Sequence, residues 1–251
     1  MNRMSRAVGV LLTLNIIVFA AGLLLPNGRE QIISVGALWF PSNEHFGFWQ
    51  VVSYMFLHAN FSHILFNMFA LVSFGTVLEQ EWGAGRFLVF YFLCGIGAGL
   101  VQLGVNWYAY TEHYNQLIAA GLKPDAIAAM LQTGKANLPA GSAIKQAATD
   151  LYLAAAVPTL GASGAIYGLL VAFGCLHPNA KLSLMFLPVP IAAKIFIPIL
   201  VGLDLFSGVT GFSLFGGGVA HFAHVGGAVI GFLLMLLWRK SRRIPSDSQV
   251  I

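Results

Sequence analysis

Charge is what this 251-residue chain has least of: Asp, Glu, Lys and Arg make up 9% of it, against about 25% in ordinary globular domains. Apolar residues make up 58%. So few charges cannot coat a water-facing surface of this size, which excludes a soluble protein and requires lipid around the chain. Cysteine is scarce as well. Cys94 and Cys175 each lie inside an apolar stretch, so no disulfide framework is implied and packing is their default role. There is no Cys-x-x-Cys, no nucleotide-binding glycine loop, no His-Glu-x-x-His run, no repeat array and no low-complexity tract. Redox, nucleotide and zinc-hydrolase chemistries therefore lack their usual signatures, and no cofactor or metal is expected. The basic balance, +4 with a pI near 9.2, does not indicate a nucleic-acid partner. The Lys and Arg residues are scattered or sit beside apolar spans, where they act as topology signals.

What is present is a series of apolar runs. A helix needs about 20 apolar residues to cross a bilayer, and candidate spans fall at 7–25, 60–78, 87–107, 155–176, 192–208 and 219–238. The fold class is therefore all-α, a polytopic bundle of six transmembrane helices. The basic start and the run Ala7 to Leu25 look like a signal peptide, but no A-x-A site follows and Leu25-Pro26-Asn27-Gly28 reads as a turn. An uncleaved first helix is expected. With both ends on the same side, that side holds nine basic residues and the opposite side four. The positive-inside rule then places both termini in the cytoplasm. Residues 26–59 form an outer loop rich in Trp, Phe and His, suited to the headgroup region. Residues 108–150 form a more polar extracytoplasmic insertion with one or two short amphipathic helices, broken at Gly121 and Pro124. The single domain is expected over 1–240, and the tail 241–251 is expected to be disordered.

Polar groups at membrane depth are expensive, so each is a functional-site hypothesis. Three constellations qualify. His63 and Asn67 are four apart on the second span and project from one face. They suit an oxyanion hole, or else a polar contact between helices. The fourth span carries Gly161-Ala-Ser163-Gly164-Ala-Ile-Tyr167-Gly168. Its serine is open to close approach, yet Gly164 and Gly168 equally make a small-residue packing face. It is not a Gly-x-Ser-x-Gly nucleophile elbow, because Ala165 takes the last glycine position. The sixth span carries His221-Phe-Ala-His224-Val-Gly-Gly227-Ala-Val-Ile-Gly231. His224, Gly227 and Gly231 share a face. Packing that face on the fourth span would put an imidazole beside the Ser163 hydroxyl, an activated nucleophile with its base. A structural intramembrane histidine is the other reading.

Taken together, His63-x-x-x-Asn67, Gly161-x-Ser163-Gly164 and Ala223-His224-x-x-Gly227-x-x-x-Gly231 resemble the signatures of the rhomboid family of intramembrane serine proteases, over nearly the whole six-span core. The resemblance implies a Ser163–His224 dyad, with the oxyanion held by His63, Asn67 and the Ser163 backbone N–H. It makes Tyr167 an aromatic platform beneath the histidine ring, and Glu79-x-x-x-Gly83 a structural motif at the inner end of the second span. Trp49-Gln50 stands where the family often has Trp-Arg, which puts the arginine's loop contacts in doubt. The implied function is endopeptidase cleavage of transmembrane-helix substrates near the outer membrane face, through an acyl-enzyme. The implied partners are transmembrane proteins and the lipid bilayer of a bacterial inner membrane. No catalytic acid is assigned: Asp150 and Asp204 have no spacing that ties them to His224, and a buried carboxylate is costly unless paired.

Two other classes compete. A metal or ion transporter would use His221 and His224, with His58 and His63 as further ligands, but it lacks an acidic ligand within the spans and leaves Ser163 idle. A non-catalytic scaffold would have lost the serine or the histidine, and this chain keeps both. His221, near the face of His224, is read as a hydrogen-bonded residue capping the preceding loop.

Overall fold

A backbone in hydrocarbon must satisfy its own hydrogen bonds, so the apolar runs become helices. The computed structural model describes residues 5–135, 138, 141–184, 187–212 and 220–241. Helix α1 (Arg6–Leu24) is followed by α2 (Gly28–Gly36), α3 (Gln50–Ser53) and a 3-10 turn at Tyr54–Phe56. Next come α4 (Phe61–Ala70), a π-type turn at Leu71–Gly75 and α5 (Thr76–Trp82), which run on as one span. Helices α6 (Ala84–Ala119), α7 (Pro124–Thr133), α8 (Ser142–Ala156) and α9 (Ser163–Leu176) follow. A hairpin of β1 (Lys181–Leu184) and β2 (Leu187–Ala192) leads into α10 (Ala193–Thr210) and α11 (His221–Ser241). Among the described residues, five stretches are long and apolar enough to cross a membrane: α1, Phe61–Trp82, α6, α10 and α11 as far as Trp238. The sixth apolar helix, α9, has 14 residues. It rises about 21 Å, short of the roughly 30 Å hydrocarbon core.

Two boundaries differ markedly from expectation. The helix of the third span does not stop at 107, because α6 runs 36 residues from Ala84 to Ala119. The break then comes at Gly121 (φ +90°), with Pro124 opening α7. The end of α6, α7 and α8 share a small core of Leu117, Ile127, Met130, Ala147, Ala148 and Leu151. The fourth span begins at Ser163 rather than 155, because α8 holds residues up to Ala156 and Pro158 forces Val157 out of the helix. Residues 157–162 run without helix, and Thr159 exchanges two 2.9 Å backbone hydrogen bonds with Leu38. The antiparallel hairpin between α9 and α10 had no counterpart in the expected all-helical pattern. Of the tail, all but Ser241 lies outside the described residues.

The centre of the bundle is α6, α9 and α11, brought together by glycines. A Cβ on Gly168 would meet the Cys94 Sγ of α6 at 2.4 Å, and one on Gly231 would meet the Gly168 Cα at 2.7 Å. Cys94 is buried there, whereas Cys175 is exposed. The Glu79 carboxylate accepts from the backbone N–H groups of Ala7 and Val8 at 2.9 and 2.8 Å. It thereby caps the orphan donors that open α1. Gln50, fully buried, takes over the anchoring of the first outer loop. Its Oε1 accepts from Trp39 N–H at 3.2 Å, and its Nε2 donates to Val35 O at 3.1 Å and His45 O at 2.6 Å.

Candidate active site

Ser163 opens α9 and His224 lies in the first turn of α11. The glycine contact just below lets the two helices approach until His224 Nε2 is 2.8 Å from Ser163 Oγ. The His224 ring is stacked on Tyr167, with centroids 4.4 Å apart and planes inclined by 12°. At the helix start, Gln102 of α6 reaches across to accept from Ala223 N–H at 3.1 Å.

The second span supplies two donors. Asn60 caps α4, its side chain accepting from His63 N–H at 2.9 Å. The His63 ring takes a defined tautomer because Ala59 N–H donates to its Nδ1 at 3.3 Å. A neutral imidazole that accepts at Nδ1 carries its proton on Nε2. That Nε2 and the serine border the same space at Gly161: a Cβ there would lie 2.8 Å from Nε2 and 3.6 Å from Ser163 Oγ. Gly161 has φ +128° and donates its N–H to Tyr54 O at 2.9 Å. Only glycine accepts that conformation readily. Asn67 is buried, and its Nδ2 finds no acceptor among the described residues. A buried donor without a partner is costly, so a group that supplies an acceptor there is favoured. Beside His63, the His58 ring packs edge-on with centroids 5.0 Å apart. Burial, and then the neighbouring His63, hold its pKa down to about 3, so it stays neutral near pH 7.

The acid set aside on spacing is part of the site. Asp204, on α10 and 8% exposed, has its Oδ1 3.1 Å from His224 Nδ1 and 2.6 Å from His221 Nδ1. Its Oδ2 accepts from the Tyr167 hydroxyl. The expectation that no acid is tied to His224 is therefore corrected, since the tie runs between helices and leaves no trace in spacing. Asp150 lies elsewhere, accepting from Gln146 of α8. His221 points into the same network. The signal that could have found Asp204 was its position: it is an ionisable residue inside an apolar span, a functional hypothesis by default. Asp204, His221 and His224 offer three ligand atoms within 4.8 Å of one another, so the missing acidic ligand of the metal reading exists. In this arrangement the same carboxylate lies within hydrogen-bond reach of His224, His221 and Tyr167.

A Rhomboid domain model matches residues 45–241. Rhomboid protein 1, mitochondrial, of Saccharomyces cerevisiae is 29% identical over 79% of this chain and 44% of its own length. An uncharacterized mitochondrial rhomboid protein of Schizosaccharomyces pombe is 29% identical over 76% of this chain and 52% of its own. Rhomboid protease GluP of Bacillus subtilis is 35% identical over a shorter stretch, 24% of this chain and 12% of its own. The chain is thus an integral membrane protein of helical, polytopic class, and it belongs to the rhomboid family. It spans about half the length, or less, of these curated relatives.

Proposed function

We propose that this chain is an intramembrane serine endopeptidase that cleaves transmembrane-helix substrates near the outer membrane face. The observation that carries the reading is the 2.8 Å contact between Ser163 Oγ and His224 Nε2, formed inside a family whose relatives include a named rhomboid protease. Ser163 attacks the peptide carbonyl as His224 Nε2 takes its proton. The resulting oxyanion accepts from His63 Nε2–H, Asn67 Nδ2–H and the Ser163 backbone N–H. Collapse breaks the C–N bond, and the leaving amine takes the proton from His224 Nε2. A water then attacks the ester, His224 again acting as base, and Ser163 is restored. A substrate helix must unwind first, because its carbonyls are hydrogen-bonded and shielded. Substrates with Gly, Pro or polar residues near their outer ends are favoured for that reason. A fluorophosphonate, which reacts with activated serines, should label the solubilised wild-type protein at Ser163. Well-folded protein that cleaves a substrate but stays unlabelled at that residue would contradict the proposal.

The oxyanion donors predict a kinetic split. Asn67→Ala should lower kcat by about 10²–10³ with little change in KM, because its bond forms mainly in the transition state. A loss confined to KM would make Asn67 a substrate-binding or structural residue.

We propose that both termini lie on the cytoplasmic side of the membrane, on the strength of the nine-to-four distribution of Lys and Arg. Reporter fusions at the C-terminus and within 112–140 should report opposite sides. Fusions reporting the same side would overturn this topology.

A further inference from the structure

We propose that Asp204 is a positioning residue for the reaction, the third member of a Ser163–His224–Asp204 relay whose carboxylate is itself held in place by His221 and Tyr167. The inference rests on the reading of Ser163 as nucleophile and His224 as base, and extends it. For His224 to take the serine proton at Nε2, that nitrogen must be the unprotonated one, so the ring proton belongs on Nδ1. Nothing in an apolar bundle secures that tautomer unless an acceptor faces Nδ1. Asp204 Oδ1 does so at 3.1 Å.

An ionised carboxylate in this setting needs more than one partner. It has three, each from a different direction. His221 Nδ1 lies 2.6 Å from Oδ1, the Tyr167 hydroxyl donates to Oδ2, and His224 completes the set. A carboxylate is acceptor-only, so all three partners must bring protons, and this fixes His224 and His221 as Nδ1–H. Tyr167 thereby does two jobs: its ring lies against the imidazole and its hydroxyl pins the acid. When His224 takes the serine proton it becomes a cation. The carboxylate beside Nδ1 stabilises that charge without taking the proton itself.

A purely structural tie between α10 and α11 would explain the same contacts, so the test must separate the two. Asp204→Asn keeps the shape, but its amide cannot accept all three protons and offers N–H donors in their place. In protein that unfolds within a few degrees of wild type, kcat should fall about 100-fold with KM nearly unchanged. Fluorophosphonate labelling at Ser163 should slow by a similar factor. His221→Asn leaves the Asp204–His224 bond in place and should cost kcat only about tenfold. A folded Asp204→Asn enzyme that keeps kcat within about threefold of wild type overturns the inference.

Should Asp204→Asn fail to fold, the wild-type protein still decides the matter. In ¹⁵N-histidine-labelled enzyme at neutral pH, the His224 ring, identified by its loss in His224→Gln, should report a protonated Nδ1 and a bare Nε2. The opposite tautomer would end the proposal. The two readings fail differently. Wild-type protein that never labels at Ser163 defeats the protease reading, whereas wild type that labels while folded Asp204→Asn labels equally fast defeats only the role of Asp204.

Discussion

Ser163→Ala should take cleavage of a transmembrane substrate down about 10⁶-fold and abolish fluorophosphonate labelling. The magnitude follows from what the hydroxyl does, since without it no acyl-enzyme forms and only binding and the oxyanion donors remain. His224→Ala should come close to the same loss, because a serine without a base is a weak nucleophile. The double variant should be barely worse than either single one: groups acting on one proton transfer are not additive. That non-additivity is diagnostic of a nucleophile–base pair, and two independent structural residues would not show it. The cluster of Asp204, His221 and His224 gives the competing metal reading a definite form and a definite expectation. A metal site would make activity sensitive to chelators and largely indifferent to Ser163→Ala. Chelators should instead leave both cleavage and labelling unchanged. Wild-type protein inactivated by chelators and untouched by loss of Ser163 would sink the serine mechanism outright.

The residues that could be read from the sequence are those whose role is written in local spacing. His63 and Asn67 share a face by being four apart, and the glycines at 164, 168, 227 and 231 announce a close helix pair. That a Cβ added at Gly227 would collide with the Gly164 carbonyl is that reading in three dimensions. Gln50 posed a question the sequence could only raise. The answer came from three hydrogen bonds to the turns of its own loop, which an amide can make without a charge. Contacts between elements far apart in the chain were not legible. Asp204 sits 20 residues before His224, across a helix end and a loop, and no periodicity records such a meeting. The start of α9 was misplaced because hydropathy does not distinguish Ala154–Ala155–Ala156, which end one helix, from a span that continues. Only Pro158 and the pairing of Thr159 with Leu38 separate them. The hairpin at 181–192 was hidden for a related reason: a short apolar run reads alike as strand or buried helix.

Gly227→Val tests the packing on which the whole site depends, and it should be nearly as damaging as loss of the base. A Cβ at this position would lie 1.9 Å from the Gly164 carbonyl oxygen and 2.7 Å from its carbon. Those are backbone atoms at the start of α9, next to Ser163, and no rotamer change can move them aside. Restoring an ordinary contact near 3.4 Å requires α11 to back away by about 1.5 Å. Valine's two further carbons demand more. His224 is one turn from Gly227, so a shift of that size carries the Ser163–His224 distance from 2.8 Å past the limit of a hydrogen bond. The base is then present but out of reach. Cleavage should fall by about 10⁴ or more, since misplacement by about 1 Å already costs roughly 100-fold in an aligned site. Labelling of Ser163 should fall in parallel, and the thermal unfolding temperature should drop. Gly104→Ala is the matched control. It lies on α6 with nothing within 4 Å of the added Cβ, so activity and stability should stay near wild type. The contrast between these two glycines makes the effect one of contact between α9 and α11, not of helix propensity, because valine and alanine are both better helix formers than glycine. A Gly227→Val enzyme that cleaves within about threefold of wild type would mean that the serine and the histidine do not depend on that contact, and the geometry of the site would have to be drawn again.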